Sequence, residues 1–223
     1  MAVNKDTYYS ILKELGKGVE LVAVSKIQPI QSIQALYNLG HRDFGENYVQ
    51  ELIDKAEKLP KDIRWHFIGH LQSNKVKFIA PFIYLIHGVD SLKLLKEINK
   101  QAEKNNRNIH VLLQVHIAKE DTKFGLNEIE LDEIISKVQE DDYKNITVKG
   151  LMGMATFTDD TQKVNSEFKY LQTLFNKYSA ISHPSFKGSI LSMGMSDDYK
   201  IALQNGSTMV RLGSLVFGRR PVI

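Results

Sequence analysis

Four consecutive apolar residues, Leu21-Val22-Ala23-Val24, are followed by Ile30, Ile33, Leu36 and Leu39 at helical spacing, with Gly40 closing the helix. The first pattern predicts a strand buried on both faces; the second predicts an amphipathic helix with a glycine C-cap. The same alternation runs on. Strands are predicted at 41–44, 65–68, 83–86, 110–117, 148–152, 189–191 and 209–212. Helices between them carry Val49, Leu52, Ile53, Ala56 and Leu59 up to the stop at Pro60, then Leu92, Leu95, Ile98 and Ala102 behind a Ser91 cap. Asn127 caps a helix with Ile129, Leu131, Ile134, Ile135 and Val138 on one face. Phe168, Leu171, Leu174, Phe175 and Tyr178 mark another, and a short helix ends at Asn205-Gly206.

Eight strands alternating with helices, without a run of hairpins, predict an α/β fold with a parallel sheet. A single closed (β/α)8 TIM barrel fits the count, with an open doubly wound sheet as the rival. Neither a composition shift nor a linker divides the chain, so residues 1–223 are read as one domain. Residues 1–20 form an N-terminal helix leading into it.

Composition narrows the chemistry. The chain has no cysteine, which removes disulfides, thiolate nucleophiles and cysteine-ligated metal sites, and suits a cytoplasmic setting. The polar, helical start argues against a signal peptide. The longest apolar run, 82–86, is far below the ~20 residues that span a bilayer, so no membrane partner is expected. The net charge of +3 is spread through mixed charges, and no basic stripe points to nucleic acid.

In such barrels functional groups gather where strands end and loops begin. The first strand runs into Ser25-Lys26. A lysine behind four buried apolar residues either snorkels to solvent or is desolvated toward the neutral amine that attacks carbonyls. The second strand ends in Phe44-Gly45-Glu46-Asn47 and the third in the polar run His66 to Lys75. His66 and His70 are four apart, but the segment reads as strand and turn and lacks the Glu of a zinc-binding helix, so no metal is expected. Leu191-Ser192-Met193-Gly194-Met195-Ser196-Asp197-Asp198 and Val210-Arg211-Leu212-Gly213-Ser214 supply small residues and hydroxyls after the last two strands. Barrels bind phosphate there, although a plain loop–helix junction has the same look. Asp197 and Asp198 suit the first turn of the next helix. Neither a P-loop nor a dinucleotide glycine motif occurs.

These segments, with Ala23-Val24-Ser25-Lys26, Phe44 to Glu51, Trp65 to Lys75, Gly150-Leu151-Met152 and Gly206 to Gly213, resemble the pyridoxal phosphate homeostasis protein family from about Leu21 to Arg219. The resemblance implies a fold-type III barrel like the N-terminal domain of alanine racemase, holding pyridoxal 5′-phosphate (PLP). It implies Lys26 as the Schiff-base lysine, and Ser192, Met193, Gly213 and Ser214 around the phosphate. Arg211 would face the pyridine nitrogen and Asn47 would lie beside the cofactor. Lys123-Phe124-Gly125 would sit where the racemase has an arginine near the phenolic oxygen. Ile27-Gln28 and Gly153-Met154-Ala155 look like local variants.

An arginine at the ring nitrogen stays protonated and donates to it, leaving the ring unprotonated and a weaker electron sink. The racemase adds a tyrosine base from a C-terminal domain; after Arg219-Arg220 this chain has only Pro221, Val222 and Ile223. The resemblance therefore implies a cytoplasmic, monomeric PLP carrier or buffer without strong catalysis. It would serve vitamin B6 and amino-acid homeostasis, with PLP-dependent apo-enzymes as recipients. A fold-type III amino-acid racemase is the alternative, and a barrel binding another phosphorylated metabolite a third reading.

Overall fold

The computed structural model describes residues 3–118, 124–140 and 143–218. Eight parallel strands close into a barrel in sequence order, the first pairing with the last. They are β1 (Glu20–Val24), β2 (Asp43–Glu46), β3 (Arg64–Phe67), β4 (Leu85–Val89), β5 (Ile109–Gln114), β6 (Ile146–Met152), β7 (Phe186–Ser192) and β8 (Met209–Leu212). Closure favours the barrel over the doubly wound sheet. The helices are α1 (Lys5–Leu15) before β1, then α2 (Ile30–Asn38), α3 (Val49–Lys58), α4 (Val76–Ile79), α5 (Leu92–Lys104), α6 (Glu128–Gln139), α7 (Thr161–Ser179), α8 (Tyr199–Gln204) and α9 (Ser214–Phe217).

Local chemistry explains the boundaries. Asn4 caps α1 through the Thr7 N–H, Ser91 caps α5, and Asn127 with Glu130 forms a reciprocal capping box on α6. Asp198 precedes α8, yet its carboxylate takes the Met195 N–H at 2.6 Å instead of capping that helix. It ties the loop after β7 together.

Two apolar cores result. The larger lies between strands and helices, where Ala23, Phe44, Phe67, Val111, Leu151 and Val210 meet helix residues such as Ile33, Leu52, Ile98 and Phe168. The smaller fills the barrel with Val22, Leu85, Leu112, Met152 and Met209. Alternate strand residues serve the two, as the period of 2 demands. At Gly150 the backbone takes φ 147° and a Cβ would lie 1.9 Å from the Ile190 carbonyl oxygen, so β6 meets β7 there through glycine alone.

Several strands depart from their predicted spans, and β2, β4 and β7 gain the most polar or glycine positions. β2 runs on through Gly45 and Glu46, β4 through His87, Gly88 and Val89, and β7 begins at Phe186. Polar and glycine residues in these extensions mask the apolar signature. In β4 the extension is strand because the barrel interior at that level is polar, with His87 fully buried in it.

Candidate functional site

Lys26 sits in the turn immediately after β1 and is partly exposed. That turn is held from behind. Ser25 is fully buried, its N–H bonded to the Gly45 carbonyl at 2.9 Å and its hydroxyl to Glu46 Oε1 at 2.5 Å. Lys55 of α3 reaches in with Nζ to the Ser25 carbonyl (2.7 Å), Glu46 Oε1 (2.8 Å) and Glu51 Oε1 (2.7 Å). Glu51 Oε1 also accepts the Ile27 N–H at 2.6 Å, and Ile27 is held at φ 62°. A β-branched residue in the left-handed region stores strain that its surroundings must enforce. Burial pushes the Glu46 carboxyl up, against the opposing pull of Lys55 and Ser25.

Arg211 enters the barrel from β8, one strand from Lys26, with Val22 paired to Arg211 and Ala23 to Leu212. It is almost wholly buried. Nη1 donates to the Ser192 carbonyl (3.0 Å) and hydroxyl (2.6 Å), and Nη2 to the Gly153 carbonyl (3.1 Å). Burial pulls its pKa down to about 10, against a favourable field from Asp198, so it keeps its charge at neutral pH. With five N–H groups on a guanidinium, donors remain beyond these three bonds.

The other predicted residues divide. Gly213 and Ser214 follow Leu212, one step past the Ala23 pairing, so they leave the barrel beside the turn of Lys26 and open α9. Asn47 follows β2 directly, and Gly69 is pressed on it so closely that a Cβ would lie 2.5 Å from the Asn47 carbonyl oxygen. Asn47 Oδ1 is buried without a hydrogen-bond partner. Ser192 is fully buried, its hydroxyl between Arg211 and His87 inside the barrel. Met193 packs its side chain in the outer core, and its N–H bonds to the Met209 carbonyl. Lys123 lies outside the described residues. Phe124 stacks on His70 (4.2 Å between ring centroids, 19° between planes), and His70 bonds to Asp90 at 3.0 Å. His66 and His70 do not converge: the first lies inside the barrel and the second on its rim. Among the described residues no cluster of three potential metal ligands forms.

Sequence reasoning missed Asp43, His87 and the Glu46–Glu51–Lys55 cluster as parts of this site. Glu51 and Lys55 are an i, i+4 pair on α3, a spacing that marks neighbours on one helix face. The inward histidines had no local signal, because the register of separate strands brings them together.

The chain does contain groups that suit an aldehyde-bearing, phosphorylated pyridine. It offers an amine at a strand end, a buried cationic donor on the next strand, and an orphaned buried acceptor at Asn47 on the rim.

Comparison with known proteins agrees with this frame. The family model for the alanine racemase N-terminal domain matches residues 5–221. The pyridoxal phosphate homeostasis protein of Schizosaccharomyces pombe is 38% identical over 209 residues, covering 92% of this chain and 86% of that one. The protein of the same name from Synechocystis is 38% identical over 218 residues, covering 96% and 97%. The structure of PipY from Synechococcus elongatus with PLP bound superposes with a TM-score of 0.86 at 31% identity, covering 96% of this chain and 99% of PipY. Alanine racemase of Clostridium difficile shares the fold at 15% identity (TM-score 0.76), and the match spans 59% of its length. By these matches the chain belongs to the pyridoxal phosphate homeostasis proteins, built on the alanine racemase N-terminal domain.

Proposed function

We propose that this chain binds pyridoxal 5′-phosphate at the carboxyl end of its barrel and stores it for delivery to PLP-dependent apo-enzymes, without substantial catalysis of its own. The observation that carries the reading is Arg211: a buried guanidinium on the strand next to Lys26, charged at neutral pH and with donors to spare.

When bound, PLP supplies an aldehyde that condenses with an amine and a pyridine ring that can accept electrons. Lys26 is the amine, held at the mouth by the Ser25–Lys55–Glu51 clamp. Arg211 would donate a hydrogen bond to the ring nitrogen and keep its own proton, which would leave the ring a poor electron sink. Gly213 and Ser214 offer the phosphate their N–H groups, those at a helix start having no carbonyl of their own helix to bond. Asn47 would lie beside the cofactor; its Oδ1 is buried without a hydrogen-bond partner. Ser192 and Met193 support this set from behind: Ser192 holds Arg211, and Met193 anchors the loop after β7 in the outer core. PLP bound to PipY, a protein alike over nearly its full length, supports the assignment.

The test pairs two measurements on the PLP-loaded protein. Transfer to an apo-enzyme that lacks its cofactor should restore that enzyme's activity. Incubation with a panel of amino acids should show no racemisation or transamination near ~1 s⁻¹, an ordinary enzymatic rate. Turnover at that rate assigns the barrel to catalysis instead.

A further inference from the structure

A row of hydrogen bonds crosses the barrel interior from the carboxyl mouth to the amino end. Arg211 Nη1 meets Ser192 Oγ at 2.6 Å, and Ser192 Oγ meets His87 Nδ1 at 3.2 Å. His87 Nε2 meets His66 Nδ1 at 2.9 Å, and His66 Nε2 meets Asp43 Oδ1 at 3.0 Å. Ser192, His87 and His66 are completely buried, and Arg211 and Asp43 nearly so. At the far end Arg64 grips Asp43 with both Nε and Nη2.

Where each imidazole carries one proton, the two ends set the direction of every bond. A guanidinium can only donate, and an ionised carboxylate can only accept. Arg211 therefore donates to Ser192, Ser192 to His87, His87 to His66 and His66 to Asp43. The reverse order, with Ser192 Oγ accepting from both Arg211 and His87, would require a second proton on His66 and leave the Ser192 hydroxyl proton outside the row. In this order each imidazole carries its proton on Nε2. Burial, followed by the fields of His66 and Arg211, holds His87 well below the usual imidazole range. Burial would raise Asp43, but hydrogen bonds from His66 and Arg64 outweigh it and bring the carboxyl down to about 2.

We propose that Asp43, His66 and His87 are positioning residues for Arg211, fixing through Ser192 the guanidinium that meets the cofactor ring. This rests on the PLP reading above. Arg211 has no carboxylate bonded to it among the described residues, and its neighbour Asp198 is tied to the Met195 N–H. The row supplies what a direct ion pair would, and does so without placing an anion at the ring. Each hydroxyl or imidazole that gives its proton onward becomes a better acceptor for the one before it. The polarised row ends on the Asp43 anion, so Ser192 Oγ is a strengthened acceptor for Arg211. Its hydroxyl proton is committed to His87, and so cannot serve a phosphate.

Two measurements on the full chain decide this. In the protein without cofactor, long-range ¹H–¹⁵N correlation of ¹⁵N-histidine should show His66 and His87 neutral, each protonated at Nε2. A proton on Nδ1, or a doubly protonated ring, at either residue overturns the row. In the PLP-loaded protein, His87→Ala and Ser192→Ala should each shift the visible absorption of the bound cofactor and speed its release roughly tenfold, the scale of one lost hydrogen bond to a buried charge. His87→Gln, which returns an amide donor toward His66, should recover part of that loss. Ser192→Ala removes a single oxygen and keeps the test open if His87→Ala does not fold. Unchanged spectrum and release rate in the alanine variants overturn the positioning role. If the wild-type chain takes up no PLP, the functional reading itself fails, and the tautomer spectrum still reports separately on the row.

Discussion

Lys55 reaches from α3 to within 2.7 Å of the Ser25 carbonyl oxygen, the backbone atom just before Lys26. The ammonium is nearly buried between Glu46 and Glu51, so one cation bridges two carboxylates and fixes the turn that carries Lys26. Lys55→Met keeps the length of the side chain and removes the charge. It should cost about 3–5 kcal/mol, the scale for stranding a buried partner, and slow the reaction of Lys26 with PLP. Urea unfolding and the rate of absorbance rise after mixing measure the two effects.

Ile27 tests the strain in the same turn. Its side chain is about half exposed (51%), so little burial is lost on truncation, while its φ of 62° favours glycine. Ile27→Gly should leave stability within about 1 kcal/mol of wild type, relief of strain offsetting the added freedom of the unfolded chain. A larger loss in the denaturant midpoint would mean that Ile27 makes contacts beyond its backbone bond to Glu51.

Gly150 allows no such tolerance. An added Cβ would collide with the Ile190 carbonyl, a backbone atom of the neighbouring strand that cannot swing aside. Gly150→Ala should therefore cost more than ~4 kcal/mol, in the range of severe core lesions, and show as a large fall in the thermal midpoint or as insoluble expression.

Acid should unfold the protein in two stages. Burial holds His41 down to about 4 from 6.5, despite the opposing pull of Asp43, and holds His87 well below 6.5. Above 6.5 these rings are neutral whether folded or not. Below it the unfolded chain takes up protons first, so stability falls as pH drops from 6.5 toward 4. Asp43, brought down to about 2 from 3.8, adds a second loss as pH falls between those values, where only the unfolded carboxyl protonates. Glu46, pushed up, works the other way and softens the first stage. Denaturant midpoints between pH 8 and 3 should decline from about pH 6.5; a midpoint flat down to pH 4 would contradict the buried neutral histidines.

How much of this was legible in the sequence depended on whether a feature was local. The β1 run 21–24 and the helix faces declared themselves by period, and the end of β1 singled out Lys26 without any partner being visible. β4 was shortened because His87 and Gly88 read as polar punctuation, although the interior at that level is where a histidine row runs. Asp43, His66, His87, Ser192 and Arg211 lie on five different strands, and their meeting is a product of barrel register, which no window along the chain contains. Ser192 shows the same limit: its contacts with Arg211 and His87 come from strand register and leave no mark in its own loop.

We propose Lys26 as the residue that captures PLP. Incubation with the vitamer, borohydride reduction and peptide mapping by mass spectrometry test it directly. The account predicts one stoichiometric pyridoxyl group, on the peptide containing Lys26, and none on a Lys26→Ala variant that still holds the vitamer weakly through Arg211 and the β8 loop. A stoichiometric label on any other lysine, or no label at all, would contradict it.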